Sequence, residues 1–128
     1  MWTIYWNSES ISVDNSREVF EIIDRLNLEY KKKNPIFVQV ENSAGDRMCI
    51  GIGNNEEYSF INYFPFDGSS SKHVEGENEG NEVTCFYMGD YESEFYIDET
   101  IKYQTALNVL RAYVLNNILD KTVEWIED

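Results

Sequence analysis

Carboxylates are the groups with which this chain could do most chemistry. Twelve of them fall between Glu56 and Glu99 (Glu56, Glu57, Asp67, Glu75, Glu77, Glu79, Glu82, Asp90, Glu92, Glu94, Asp98, Glu99), against one base, Lys72. That stretch holds eleven of the chain's fourteen net negative charges. Two carboxylates become an acid and base pair only when burial or proximity splits their proton affinities. Glu75, Glu77 and Glu79 alternate with Gly and Asn, a pattern that predicts solvated side chains and argues against a glycosidase pair. The same run, EGENEGNE, offers oxygen ligands for calcium, yet it lacks the Asp-rich spacing and terminal bidentate Glu of an EF-hand. A solvated loop is the reading, with no metal and no cofactor.

The other reactive groups are few. His73 is the chain's one histidine and lies in the middle of the polar stretch. A general base needs a positioned partner, and none is identifiable, so His73 is read as an exposed loop residue. Cys49 and Cys85 sit in β-like apolar runs, where a reduced Cys packs as a small hydrophobe. No nucleophile, base and orienting group can be proposed together, and the expectation is no catalytic residue and no enzyme. Gly51-Ile52-Gly53 lies between strands and opens no helix, so it reads as a close turn or bulge and not a phosphate loop.

Charge narrows the partners. Packing so many like charges in one region costs self-repulsion, which points to a use in steering and holding a basic partner. Nucleic acid is disfavoured because phosphate affinity comes from Lys and Arg, and the one basic cluster is Lys31 to Lys33. Tyr58, Phe60, Tyr63, Phe64 and Phe66 supply core packing with a few exposed rings, which beside carboxylates suit a protein interface. No apolar run reaches the length of a membrane span and no secretory signal is recognisable. A cytoplasmic protein without membrane contact is expected. Its oligomeric state is left open.

These side chains need elements to hold them. The length, 128 residues, predicts one domain, 1–128. Residues 2–6 read as a strand or arm. A helix follows, with Asn15 as N-cap, Glu18 in capping-box position, and Val19, Ile22, Ile23, Leu26 and Tyr30 on one face. Strands are expected at 36–41, 47–53 and 58–64, then a long exposed loop over 65–81, then a hairpin of 82–88 and 92–97 around Gly89-Asp90. A second helix begins near 98–101 with Tyr103, Leu107, Leu110, Val114 and Ile118 at helical spacing, and 122–126 closes the chain as a strand. The order is β-α-βββββ-α-β: an α+β fold, mainly antiparallel, with two helices on one face of the sheet.

The hairpin centred on Phe86-Tyr87-Met88-Gly89, the acidic strand after it, the helix with Ala106 and Tyr113-Val114, and the terminal Thr122-Val123-Glu124-Trp125 resemble the first numbered family of immunity proteins of bacterial polymorphic toxin systems. The opening helix, the Phe37-Val38 strand and the Ile50-Gly51-Ile52-Gly53 strand fit as well, so the resemblance covers roughly residues 10–127. Two features depart from the family: residues 117–121 lack the Gly and Pro often found there, and Asp98 stands where a Pro commonly precedes the last helix. The resemblance implies an α+β domain with a Trp near its C-terminus, matching Trp125, and a protein that binds and blocks a cognate toxin, often a nucleic-acid deaminase.

On that reading an acidic surface occludes the basic substrate groove of a deaminase or nuclease toxin. The partner-binding residues expected are Glu75, Glu77, Glu79, Glu82, Asp90, Glu92 and Glu94, with Tyr91 as an aromatic anchor. Trp125 and Gly89 are read as keeping the fold. Two other classes are weighed: an acidic adaptor or DNA-mimic inhibitor of another basic protein, and a small carboxylate-dependent hydrolase.

Overall fold

Val38 and Val40 alternate with Phe37, Gln39 and Glu41, and this alternation gives the sheet two different faces. The computed structural model describes residues 1–55 and 57–128. Glu56, one of the twelve acids, lies outside the described residues. The chain forms β1 (Trp2–Trp6), β2 (Glu9–Val13), α1 (Ser16–Tyr30), β3 (Ile36–Glu41), β4 (Arg47–Ile52), β5 (Ile61–Phe64), β6 (Lys72–Val74), β7 (Val83–Met88), β8 (Tyr91–Tyr96), α2 (Tyr103–Asn116) and β9 (Trp125–Glu127), with a 3-10 turn over Ile97–Glu99 before α2.

The sheet runs β2-β1-β3-β4-β5-β6-β9, antiparallel throughout this path. The β7–β8 hairpin branches from it through one parallel pairing, Ile36 with Tyr87. Both helices pack on the same face. Val19, Ile23 and Leu26 of α1, with Ala106, Val109, Leu110 and Tyr113 of α2, meet Ile4, Val38, Val40, Met48, Ile50, Ile52 and Ile61 of the sheet. Most of these side chains are fully buried, and each Val, Leu, Ile or Met among them contributes roughly 1.5–3 kcal/mol through its burial. Asn15 caps α1, its side chain accepting from the Glu18 amide at 3.0 Å. Asn117 ends α2 in the left-handed conformation, a C-terminal arrangement Asn tolerates well.

The opposite face carries a second, smaller core of Phe37, Cys49, Phe60 and Phe86, with Met88 and Phe95 against it. Phe86 and Phe95 come from the hairpin, which folds over this face. Gly51 is the residue that permits it. It lies inside β4 paired with Phe37, and a Cβ there would stand 2.7 Å from Phe86 and 2.9 Å from Phe60. The expected turn or bulge falls instead at Gly53, which has φ +80°. The hairpin tip is held from the far side by Asn7, whose side chain accepts from the Gly89 amide and donates to Tyr30 Oη, each at 3.0 Å.

The α+β architecture is as expected, and the strand count is corrected. β2 was not anticipated because four of its five residues are exposed and its apolar alternation is limited to Ile11 and Val13. The strand expected at 58–64 is shorter, since Ser59 instead bridges to Ile101. The stretch expected as a long loop contains β6, held between β5 and β9 by backbone pairing that composition does not reveal. α2 starts at Tyr103, after the 3-10 turn, and the last strand is Trp125–Glu127.

Candidate partner-binding surface

The acids sit on two segments joined by hydrogen bonds. The first is a strap, residues 75–82, which leaves β6 and runs beside residues 97–101. The amides of Glu77 and Asn78 donate to the Thr100 carbonyl at 2.9 and 3.2 Å, and Asn78 Nδ2 reaches the Thr100 hydroxyl at 2.9 Å and the Glu57 carbonyl at 3.0 Å. Gly76 passes so close to the Asp98 carbonyl that a side chain has no room. The strap's backbone is therefore anchored, which corrects the expectation of a flexible loop, while the side chains of Glu75, Glu77 and Glu79 are exposed as expected. Paired backbone donors hold it in place where residue composition predicts none.

The second segment is the β7–β8 hairpin. Glu82 closes the junction, its carbonyl accepting from the Ile97 amide at 2.9 Å. Gly89 begins the two-residue turn with φ +59°, the conformation for which glycine is favoured at that position. The pairings Cys85 with Glu94 and Tyr87 with Glu92 set Cys85, Tyr87, Glu92 and Glu94 on the outer face. Tyr91, Ser93 and Phe95 take the inner one. The Cys85 thiol donates to Glu92 Oε1 at 3.2 Å. Burial, the Glu92 hydrogen bond and the charges of Glu92 and Glu94 all raise its pKa, so the thiol stays protonated. Glu92 likewise raises the Tyr87 hydroxyl. The ligating atoms of Cys85, Glu92 and Glu94 lie within 4.8 Å of one another, brought together by that hydrogen bond and by the cross-strand pairing of Cys85 with Glu94.

Each expected residue can now be placed. Glu75, Glu79, Glu82, Asp90, Glu92 and Glu94 are exposed. Glu75 anchors the strap through its amide, which donates to the Glu124 carbonyl at 2.9 Å. Glu77 is also exposed, but its carboxylate accepts from the Lys102 amide at 2.8 Å, so it is committed to the start of α2. Tyr91 is 67% exposed, with its ring edge-on to Phe37 at 6.2 Å. Trp125 donates its indole N–H to the Asp120 carbonyl at 2.8 Å and packs against the main core.

Charge compensation differs between the two halves of the chain. Glu21, Glu29 and Glu41 pair with Arg17, Lys33 and Arg47. Among the described residues, no acid between Glu57 and Glu99 has a Lys or Arg within ion-pair distance.

Between the inner face of the hairpin and the second face of the sheet lies an open trough of about 390 Å³, lined by Phe37, Gln39, Asn62, Tyr91, Ser93 and Phe95 among others. A second hollow of about 290 Å³ shares Phe60, Asn62 and Phe95 with it and extends to His73, Asp98 and Asp128. Sequence reasoning missed Gln39, Asn62 and Ser93 as trough residues. The two-residue spacing of Phe37 with Gln39 and of Phe60 with Asn62 is the signal that places them on one face. His73 is not the loop residue expected. It sits in β6 between Asn62 and Ile126, with Nδ1 hydrogen-bonded to the Asp128 carboxylate. Asp128 also accepts from the Ser71 hydroxyl at 2.8 Å. Burial alone would raise the Asp128 pKa, but the hydrogen bonds from His73 and Ser71 and the attraction of His73 outweigh it and hold the carboxyl below its ordinary value.

No family model matches this chain, and no curated protein matches it. Among the described residues, no helix is long and apolar enough to cross a membrane.

Proposed function

We propose that this protein is a cytoplasmic immunity protein that binds a cognate bacterial toxin acting on nucleic acid, a deaminase or nuclease, and blocks its active site with an acidic surface. It is a binding protein and not an enzyme. The observation that carries the reading is the segregation of unpaired charge. Among the described residues the acids on the strap and hairpin have no basic partner, whereas three of the eight acids in residues 1–55, Glu21, Glu29 and Glu41, do. A protein that leaves such charge uncompensated gains fast, salt-sensitive association with a basic surface. A substrate groove for nucleic acid is such a surface, since it must neutralise phosphates with Lys and Arg. The resemblance of the hairpin, last helix and terminal Trp125 segment to an immunity-protein family supports the same reading.

The experiment is to reverse Glu82, Glu92 and Glu94 together and measure association with the product of the neighbouring toxin gene, alongside protection of cells that express it. Slower association and lost protection are expected. Unchanged binding and protection overturn the assignment. An inhibitor of a different basic protein would show the same charge dependence without a toxin gene beside it.

A further inference from the structure

Among the described residues the β8 strand pairs with β7 and with no other strand, so one of its edges is free. Which backbone groups face that edge follows from the register. The Ile97 amide donates to the Glu82 carbonyl, which makes 82 and 97 a hydrogen-bonded pair. Antiparallel ladders alternate, so the hydrogen-bonded pairs continue at 84 with 95, 86 with 93, and 88 with 91. The amides and carbonyls of Glu92, Glu94 and Tyr96 therefore point away from β7. The Tyr96 amide is taken by the Glu99 carboxylate at 2.8 Å. Among the described residues, those of Glu92 and Glu94 have no partner.

The side chains on this strand alternate just as sharply. Glu92 and Glu94 face outward, and Tyr91, Ser93 and Phe95 line the trough. We infer that β8 is a strand acceptor: an extended segment of the basic partner adds to its free edge, placing Lys or Arg at alternate positions beside Glu92 and Glu94 and its intervening apolar side chains over the trough next to Tyr91 and Phe95. Strand addition of this kind draws affinity from main-chain hydrogen bonds and specificity from alternate side chains. A second copy of this chain is a poor occupant, because antiparallel self-pairing sets Glu92 and Glu94 against carboxylates of the other copy. The inference rests on the proposal of a basic protein partner and specifies how that partner is held.

The test uses the full chain and a synthetic ten-residue peptide of alternating Arg and Val, compared with the same peptide N-methylated at every second residue. Amide shifts followed by NMR on titration are expected at Glu92 to Tyr96. N-methylation is expected to weaken binding by about tenfold, the loss of one or two net backbone hydrogen bonds. Glu94→Pro removes an outward amide without taking a bond from the β7 ladder, so an edge position should tolerate it. It should weaken binding about as much as N-methylation does, and Glu94→Gln, which keeps the amide, should do so only by about twofold. Equal affinity for both peptides, or shifts confined to residues 75–79, overturns strand addition while leaving charge-driven binding standing. No binding of either peptide at low salt also overturns it. The toxin reading is judged separately, by the protection assay with the charge-reversed hairpin.

Discussion

Glu77 precedes Lys102 by twenty-five residues, yet its carboxylate accepts a hydrogen bond from the Lys102 backbone amide at 2.8 Å. Lys102 is the N-cap of α2 and has no side-chain cap of its own. The acidic strap thus supplies, from a distance, the carboxylate that an acid inside the first turn supplies in a capping box. The negative charge also meets the positive end of the helix dipole. Glu77→Ala should cost about 1 kcal/mol of stability, and Glu77→Gln, which keeps an acceptor oxygen, should cost less. Urea unfolding midpoints of the two variants check this. Association with a basic partner should change in either variant by no more than the loss of one exposed charge produces.

Gly76 fixes where the strap crosses the segment before α2. An added Cβ would lie 1.9 Å from the Asp98 carbonyl oxygen, and that neighbour is backbone. The strap can accommodate it only by lifting away, which breaks the bonds from Glu77 and Asn78 to Thr100. Gly76→Ala should therefore destabilise by about 3 kcal/mol and speed hydrogen exchange at the Glu77 and Asn78 amides. Gly68, which has φ +87° and open space around it, offers the contrast. Gly68→Ala should cost about 1–2 kcal/mol from backbone strain alone and leave those amides protected.

The hairpin keeps its place through aromatic packing on the second face of the sheet. Phe86 is fully buried, with its ring edge-on to Phe60 at 5.1 Å and to Phe95 at 5.9 Å. Phe60 stacks on Phe95 at 4.5 Å. Phe86→Ala should cost about 3–5 kcal/mol. The loss should fall unevenly: amide exchange should rise most across β7 and β8, and least in β3 and β4, whose other face is covered by both helices.

What could be read from the sequence followed periodicity and turn chemistry. The face of α1 from Val19 to Leu26, the hairpin about Gly89, and the alternation of Val38 and Val40 with Phe37 and Gln39 all appear in the residue pattern, because a buried face imposes its period on the chain. β2 and β6 were not legible. Their residues are mostly exposed or half-buried, and they exist because neighbouring strands supply hydrogen-bond partners from elsewhere in the sequence. The anchoring of the strap was hidden for the same reason. Nothing in the run from Glu75 to Asn81 announces that Thr100 waits beside it. At the candidate site the acids were visible as a crowd. The division between Glu77, engaged in capping, and Glu92 and Glu94, exposed on an edge strand, depends on register and cannot be seen in composition.

The Asp128 carboxylate, tied to His73 and Ser71, makes stability depend on acid. Its pKa is lower in the folded chain than its ordinary value, so the folded state binds a proton less readily than the unfolded one. Such a group contributes stability above the ordinary carboxylate pKa, about 3.9, and that contribution disappears as pH falls through the lowered folded value. Asp128→Asn removes it. The variant should be less stable than the parent chain at neutral pH, and the two stability curves should converge as pH drops below about 4. Unfolding midpoints measured from neutral pH downward decide the matter. Because the His73 and Asp128 side chains are each more than a third exposed, the gap should also narrow as salt is raised. A gap that stays constant with pH would show that Asp128 acts through packing of β9 alone and not through its charge.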